Sequence, residues 1–430
     1  MSLAMTATLI IFVLIFILRM PIALGMIVSA VAYFLVKGGD LSLVINQVVN
    51  TYYTNFVIIA VPLFIFTANV MNSGKVTQMI FRFADGLVGG MRGALGHVNV
   101  LGSLIFAGMT GSAIADAAGL GKIEIEAMND SGFDPAFSCA ITAASATIGP
   151  IFPPSIPLVI YAMLSGTSVG ALFLGGMVPA ILLTVALMIY IAIIAKVRNY
   201  PRGERVGLRA FLAFSFQALP ALLTPVILLA GIYTGVMTPT EAGAIAGLYA
   251  IVIAVFAYKA FGWKDLWQVV KQTVSDVGGT SIMIGAAAII SYIVAREQIA
   301  TQLGAWIMSI SDSRFFFLFL VNIVILLLGM FIDTSTIQLI FVPILLPVAS
   351  ALGIDMIHFG LVVTFNMMVG LSTPPFGMLL FITSGISNTP LKAIMKEIMW
   401  PIVVMLLVLV VITYFPDVVL FLPRATGMIV

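Results

Sequence analysis

The chain has 430 residues, of which 62% are hydrophobic and 8% charged, with a formal net charge of +2. A soluble domain averages about 25% charged residues, so a surface this poor in charge is not wetted, and most of the chain must face lipid or its own helices. The single cysteine, Cys139, excludes an internal disulfide framework and a cysteine-built metal site, and the two histidines, His97 and His358, stand far apart without ligand spacing.

Apolar runs recur along the whole length: Ala4–Leu18, Ile22–Val36, Phe56–Val70, Ala171–Ala195, Ala218–Ile232, Phe315–Ile332 and Ile398–Phe415 are the clearest. A helical span needs roughly 20 apolar residues, and several runs reach that length only with their flanks. Alternating polar and apolar strands are lacking, so helices rather than a barrel satisfy the backbone. The first run has no positive flank before it and no small-x-small cleavage site, and it reads as a span rather than a secretory leader. After the second run, Leu41, Val44, Ile45, Val48 and Tyr52 lie on one helical face and Ser42, Asn46 and Asn50 on the other. Such a helix is too short and polar to span and lies along the membrane interface.

The stretch Gly108-Met109-Thr110-Gly111-Ser112-Ala113-Ile114-Ala115-Asp116-Ala117-Ala118-Gly119 is small, polar and glycine-rich inside apolar sequence. It predicts a hairpin tip where two half-helices meet near the bilayer midplane. Close packing through small residues explains its glycines and alanines but not Asp116. Lys122, Glu124, Glu126, Asp130 and Asp134 follow, and read as a solvated loop face. About 40 residues after the tip, Thr147–Pro157 contains Pro150, Pro153, Pro154 and Pro157. Each proline removes a donor and clashes with the carbonyl four residues back, so this helix cannot be continuous. Inside a bilayer a break is tolerated only where the backbone lines a cavity or binds something. Freed carbonyls joined by the hydroxyls of Thr142, Ser145 and Thr147 make an oxygen cage suited to sodium.

The one strongly polar connector near the middle, Lys196–Arg209, carries Lys196, Arg198, Arg202, Arg205 and Arg209 against Glu204. The positive-inside rule puts it in the cytoplasm, and Arg19 agrees if the N-terminus is outside. Beyond it, Trp263, Leu266, Trp267, Val270 and Val274 oppose Lys264, Gln268, Lys271 and Ser275, a second interfacial helix. Arg296, with Glu297 beside it, closes an apolar run, either as a snorkelling interfacial residue or as a fork for a substrate carboxylate. Gly329-Met330-Phe331-Ile332-Asp333-Thr334-Ser335-Thr336 is a second tip, and Gly370–Gly377 a second break with Ser372, Thr373, Pro374 and Pro375. An ionisable group such as Asp333 inside apolar sequence is a functional candidate by default.

These features repeat. Gly149-Pro150-Ile151-Phe152-Pro153-Pro154 matches Gly370-Leu371-Ser372-Thr373-Pro374-Pro375 at an offset of 221, the step from Gly149 to Gly370. Lys75 falls opposite Arg296, and Gly111-Ser112 opposite Ile332-Asp333. Met20–Gly25 echoes Thr238–Gly243, slightly shifted. Residues 1–195 therefore read as one membrane repeat, 196–214 as a basic cytoplasmic connector and 215–430 as a second repeat. Each half holds five crossings and one re-entrant hairpin, and an odd number of crossings inverts the second repeat. Paired broken segments in inverted repeats place a transporter site between them near the midplane. The fold expected is an all-α polytopic membrane protein of two inverted repeats with re-entrant hairpins and broken helices.

Three runs carry a family resemblance: Gly111-Ser112-Ala113-Ile114-Ala115-Asp116-Ala117-Ala118, Ala143-Ala144-Ser145-Ala146-Thr147-Ile148-Gly149-Pro150-Ile151-Phe152-Pro153-Pro154-Ser155, and Thr373-Pro374-Pro375-Phe376-Gly377. Over essentially the whole chain the sequence resembles the large membrane subunit of tripartite ATP-independent periplasmic (TRAP) transporters, and among its branches is most similar to the sialic-acid (N-acetylneuraminate) subunits. The resemblance implies sodium-driven import of a small organic anion across the bacterial inner membrane by an elevator mechanism. A scaffold of outer spans and amphipathic arms would be interleaved across both repeats with a mobile transport domain of hairpins and broken helices. It implies a periplasmic substrate-binding protein and a small four-helix membrane subunit, expected here as a separate polypeptide. Carried over, Thr110, Ser112, Ser168, Arg296 and Asp333 would face substrate. Ser103, Gly111, Ser145, Thr147, Gly149, Thr334, Ser335, Gly370, Ser372 and Thr373 would surround sodium, and Pro150, Pro153, Pro154, Pro374 and Pro375 would break the helices.

Other classes fit less well. No GxxxxGK[ST] loop is present for ATP, and no HExxH or serine–histidine set for hydrolysis. A pore does not need paired tips with paired breaks. An intramembrane aspartyl protease needs two neighbouring carboxylates, whereas the offset pairs Asp333 with Ser112 rather than with Asp116. Within transporters the alternative is a sodium-coupled dicarboxylate or citrate carrier working without a binding protein.

Overall fold

The computed structural model describes residues 3–18, 20–72, 74–203, 206–260 and 262–429. Arg19, Glu204 and Arg205, used in the charge argument, lie outside them, as does the side chain of Trp263. No β-strand occurs among the described residues. The first half builds α1 (Leu3–Ile17), α2 (Ile22–Lys37), α3 (Ser42–Thr54), α4 (Ala60–Met71), α5 (Gly74–Val88), α6 (Ala94–Thr110), α7 (Ala113–Ala118), α8 (Leu120–Asp130), α9 (Pro135–Ser145), α10 (Ile156–Ser165) and α11 (Val169–Val197). The second builds α12 (Leu208–Tyr233), α13 (Pro239–Val252), α14 (Trp263–Arg296), α15 (Ile299–Ile310), α16 (Arg314–Gly329), α17 (Thr334–Ala351), α18 (Met356–Leu371), α19 (Met378–Ser387), α20 (Leu391–Glu397), α21 (Met399–Tyr414) and α22 (Pro416–Ala425).

Five helices among the described residues are individually long and apolar enough to cross a bilayer, and the bent pairs α3–α4 (with Phe56–Met71 as its second limb) and α20–α21 bring the number to seven. The remaining apolar helices run 10–17 residues, and of these α6, α9, α10, α16, α18 and α19 form the hairpins and breaks that the sequence marks out.

The first interfacial arm is a separate helix, bent by 73° from the span that follows. Asn55 leaves the helical region there (φ −111°, ψ 85°), and Pro62 in the first turn of α4 could not accept a continuous helix running through Ile58. The second arm differs from expectation. It is continuous with its span in the 34-residue α14, because no proline interrupts 263–296 and Gly278-Gly279 is tolerated inside the helix.

Shifted by 221, α9 and its break fall on α18 and its break, α10 on α19, α6 on α16, α7 on the start of α17, and α3–α4 on α14. Contacts between the halves are reciprocal. Helix α2 packs on α14 while α13 packs on α4, and α7 packs on α19 while α17 packs on α10. Reciprocal pairing of this kind is the signature of a twofold relation.

The helices leading into the breaks form the centre. Residues 136–151 and 357–373 are buried without exception, as expected for helices apolar all round. Outer helices expose large apolar side chains: Leu14 and Ile17 on α1, Ile189 and Ile193 on α11, Phe216 and Val226 on α12. Each central helix is tied to its hairpin by a buried polar clamp. In the first half, Asn99 on α6 donates to Thr142 at 2.7 Å and accepts from Ser145 at 2.6 Å. In the second, Asn366 on α18 donates to the Asn322 side-chain and backbone oxygens on α16, both at 2.8 Å. Ser145 and Asn366 are one offset apart, so both halves place a clamp at the same position.

Hairpin and break also meet through glycine. A Cβ built on Gly370 would stand 2.7 Å from the Gly329 Cα, backbone against backbone. Gly370→Ala is therefore expected to lower stability by about 2 kcal/mol. Gly385→Ala in α19, whose Cβ meets nothing within 4 Å, is expected to be neutral or slightly stabilising. Thermal unfolding of both purified variants in one detergent checks the contrast.

Candidate functional site

Both tips turn on the residues that the offset pairs. At the first, Gly111 sits in the left-handed region (φ +60°), and a Cβ there would run into the Pro154 carbonyl, so only glycine makes this turn against the first break. Ser112 then caps α7, its Oγ accepting from the Ala115 N–H at 3.4 Å. At the second, Asp333 caps α17 by accepting from the Thr336 N–H at 3.0 Å, and the Thr336 hydroxyl donates to the same carboxylate. The prolines behave as the sequence demands. Pro153-Pro154 and Pro374-Pro375, one offset apart, are both joined by cis bonds. Ser155 caps α10 by accepting from Leu158 N–H at 3.2 Å, and its hydroxyl donates to the Pro150 carbonyl.

Tips and breaks enclose a cavity of about 520 Å³, within the range of small-molecule sites. Gly111, Ser112 and Ala113 line it from the first tip, Asp333, Thr334 and Ser335 from the second, Pro150, Ile156 and Pro157 from the first break, and Leu371 and Met378 from the second. The N-terminal ends of α7, α10, α17 and α19 therefore all border one space. The facing wall comes from α4 (Ile65, Ala68, Asn69) with its C-cap Asn72, and from α14 (Gln272, Asp276, Thr280). Two carboxylates, Asp276 and Asp333, line the cavity, and no Lys, Arg or His does so among the described residues.

The remaining candidates lie around this centre. Thr110 is buried one residue before the tip, its hydroxyl donating to the Phe106 carbonyl at 3.3 Å. Ser145, Thr147 and Gly149 are buried behind the first break, with Thr147 donating to the Ala144 carbonyl at 2.6 Å and the Gly149 Cα facing the Ser112 backbone. Gly370, Ser372 and Thr373 are buried behind the second, where both hydroxyls donate to the Val369 carbonyl at 3.0 and 2.6 Å. Ser103 is buried on α6 beside Asp116. Two candidates stand apart from the cavity: Arg296 is exposed at the end of α14, and Ser168 is the exposed N-cap of α11, accepting from Ala171 N–H at 3.3 Å.

Asp116 is fully buried inside the first hairpin rather than in the cavity. The solvated face expected for the cluster after the first tip holds for Lys122, Glu126, Asp130 and Asp134 but not for Glu124. Glu124 is on the inner side of α8, its Oε1 placed where a Gly102 Cβ would meet it at 2.7 Å, and neither of its carboxylate oxygens has a hydrogen-bond partner among the described residues. Sequence reasoning missed the facing wall. Its signal was present as Asn69 and Asn72 at i, i+3 and Gln272, Asp276 and Thr280 at i, i+4, i+8, polar stripes inside apolar helices.

Comparison with known proteins identifies the family. The family model described as tripartite ATP-independent periplasmic transporter, DctM component, matches residues 9–418. The sialic acid TRAP transporter large permease protein SiaM of Vibrio cholerae serotype O1 is 39% identical over 94% of this chain and 95% of its own length. The sialic acid TRAP transporter permease protein SiaT of Haemophilus influenzae is 37% identical over 97% of this chain and 68% of its own. The C4-dicarboxylate TRAP transporter large permease protein DctM of Pseudomonas aeruginosa is 38% identical over 87% of this chain and 88% of its own. Among solved structures, the Alcanivorax borkumensis YdaH transporter covers 88% of each chain with a TM-score of 0.60 at 14% identity, a likeness of fold. The chain belongs to the DctM component of the tripartite ATP-independent periplasmic transporters: it is a permease subunit of the bacterial inner membrane rather than an enzyme, and it works with a small membrane subunit and a periplasmic binding protein.

Proposed function

We propose that this permease imports a small organic anion, N-acetylneuraminate, on an inward sodium gradient by an elevator movement. The observation that carries the reading is the convergence of helix N-termini on one cavity without a basic side chain. Each N-terminus presents unpaired N–H groups and the positive end of its dipole, and half-helices aimed in this way receive anionic substrate groups in secondary transporters. Sodium coupling is supported by the chemistry at the breaks. Oxygen donors dominate there: the hydroxyls of Ser145, Thr147, Ser372 and Thr373, carbonyls released by the prolines, and the buried Asn366 Oδ1, which has no partner among the described residues. Hard monovalent cations suit such a set. The elevator reading follows from the division between the central hairpins and breaks and the outer arms α3–α4 and α14. Residues 1–195 and 215–430 act as the two repeats across the 196–214 connector, and the small partner subunit is a four-helix protein.

The N-acetylneuraminate reading draws on the relatives from Vibrio cholerae and Haemophilus influenzae. The dicarboxylate permease at 38% identity keeps a C4-dicarboxylate as the second reading. Uptake of labelled N-acetylneuraminate into proteoliposomes holding the permease and its small subunit, with added binding protein, decides between them. Uptake that needs both sodium and the binding protein supports the proposal, and uptake of succinate alone replaces the substrate. Asp333→Ala and Ser112→Ala are each expected to cut uptake at least about tenfold, the equivalent of one lost hydrogen-bonded contact of ~1.4 kcal/mol, with folded yield unchanged. Thr373→Val is expected to raise the sodium concentration for half-maximal uptake while leaving binding-protein docking intact, measured by varying sodium at fixed membrane potential.

A further inference from the structure

The wall opposite the tips has its own chemistry. On α14, Gln272, Asp276 and Thr280 recur every four residues and form a stripe about 12 Å long facing the cavity. Asp276 is held at its centre. The Asn69 amide donates to one carboxylate oxygen at 3.0 Å and the Gln272 amide to the other at 2.7 Å. Asn69 also donates to Thr273 at 3.1 Å, which fixes its amide across the α4–α14 contact. The Asn72 Oδ1 is buried against Gly119 with no partner among the described residues. The Asp276 carboxylate and the unpartnered Asn72 Oδ1 are the acceptors this wall offers. They suit hydroxyl or amide N–H donors, and a second negative charge there has no cation to meet.

We propose that Asp276 makes the cavity select a monocarboxylate with a hydroxyl- and amide-bearing body over a dicarboxylate. The inference rests on the reading that an organic anion occupies this cavity. The carboxylate of such a substrate lies at the N-termini of α10 and α19, each of ten residues, rather than at α17, whose N-terminus the Asp333 carboxylate already caps, and its neutral body reaches the α4–α14 wall. A dicarboxylate bound in the same way sets its second charge against Asp276. Rejection by a repulsive group is a general route to specificity, and a site built of acceptors also discriminates by leaving them unpaired when donors are missing.

The test is a ligand titration of the thermal midpoint of the full chain in detergent, with N-acetylneuraminate and with succinate at constant sodium. Asp276→Asn removes the charge and keeps one of the two acceptor oxygens that the Asn69 and Gln272 amides use, while Asp276→Glu keeps the charge. The unsubstituted chain and Asp276→Glu are expected to bind succinate at least tenfold more weakly than N-acetylneuraminate. In Asp276→Asn that ratio is expected to shrink tenfold or more through tighter succinate binding. An unchanged ratio in Asp276→Asn, succinate binding as tightly as N-acetylneuraminate to the unsubstituted chain, or no binding of succinate by Asp276→Asn each overturn the proposal. If no form binds N-acetylneuraminate but Asp276→Asn gains succinate affinity over the unsubstituted chain, the selectivity role stands and the substrate reading above falls.

Discussion

A peptide group that loses its helical partner inside a bilayer finds no water to replace it, and this architecture is organised around the two places where that happens. Prolines at 150, 153 and 154, and again at 374 and 375, end helices that are buried on every side. The chain meets the constraint by bringing each break against a hairpin and opening the remaining polar backbone onto a shared cavity. Glycine permits the approach. Gly111 lies against the Pro154 carbonyl, and Gly329 and Gly370 put backbone against backbone where any side chain would force them apart.

The twofold relation between the halves turns two weak features into one site. A single broken helix offers one dipole end and a few carbonyls. Because α7 packs on α19 and α17 on α10, each hairpin tip is set beside the restart of the other half's broken helix, and four N-terminal ends border one space. The buried clamps, Asn99 with Ser145 and Asn366 with Asn322, hold each broken helix to its hairpin.

The electrostatics of the cavity combine backbone dipoles at its helix N-termini with the carboxylates of Asp276 and Asp333. Asp333 and Ser112 occupy corresponding N-caps, so one residue position serves both as the helix start and as the cavity lining. The opposite wall is fixed by the α4–α14 contact, where Asn69 bridges to Asp276 and Thr273. The cavity therefore has one side that belongs to the hairpins and breaks and another that belongs to the long arms.

Residue order alone determined the class and the plan of this protein. Apolar runs, proline clusters and two glycine-rich tips are local signals, and the common offset of Gly149 to Gly370 and Ser112 to Asp333 exposed the repeat because both halves solve the same backbone problem. Arg296, although the offset pairs it with Lys75, and Ser168 stand outside the cavity, one at a helix end and one as a cap. Tertiary structure alone decided which residues meet across the halves. The pairing of α4 with α14 brings Asn69 and Asn72 to Gln272 and Asp276 over some 200 residues of chain. Packing of α8 on α6 turned Glu124 inward while Lys122, Glu126 and Asp130 on the same helix remained exposed. Helical periodicity states which residues share a face, but the element that covers that face is chosen by the fold, since the same stripe can meet lipid, water or a neighbouring helix.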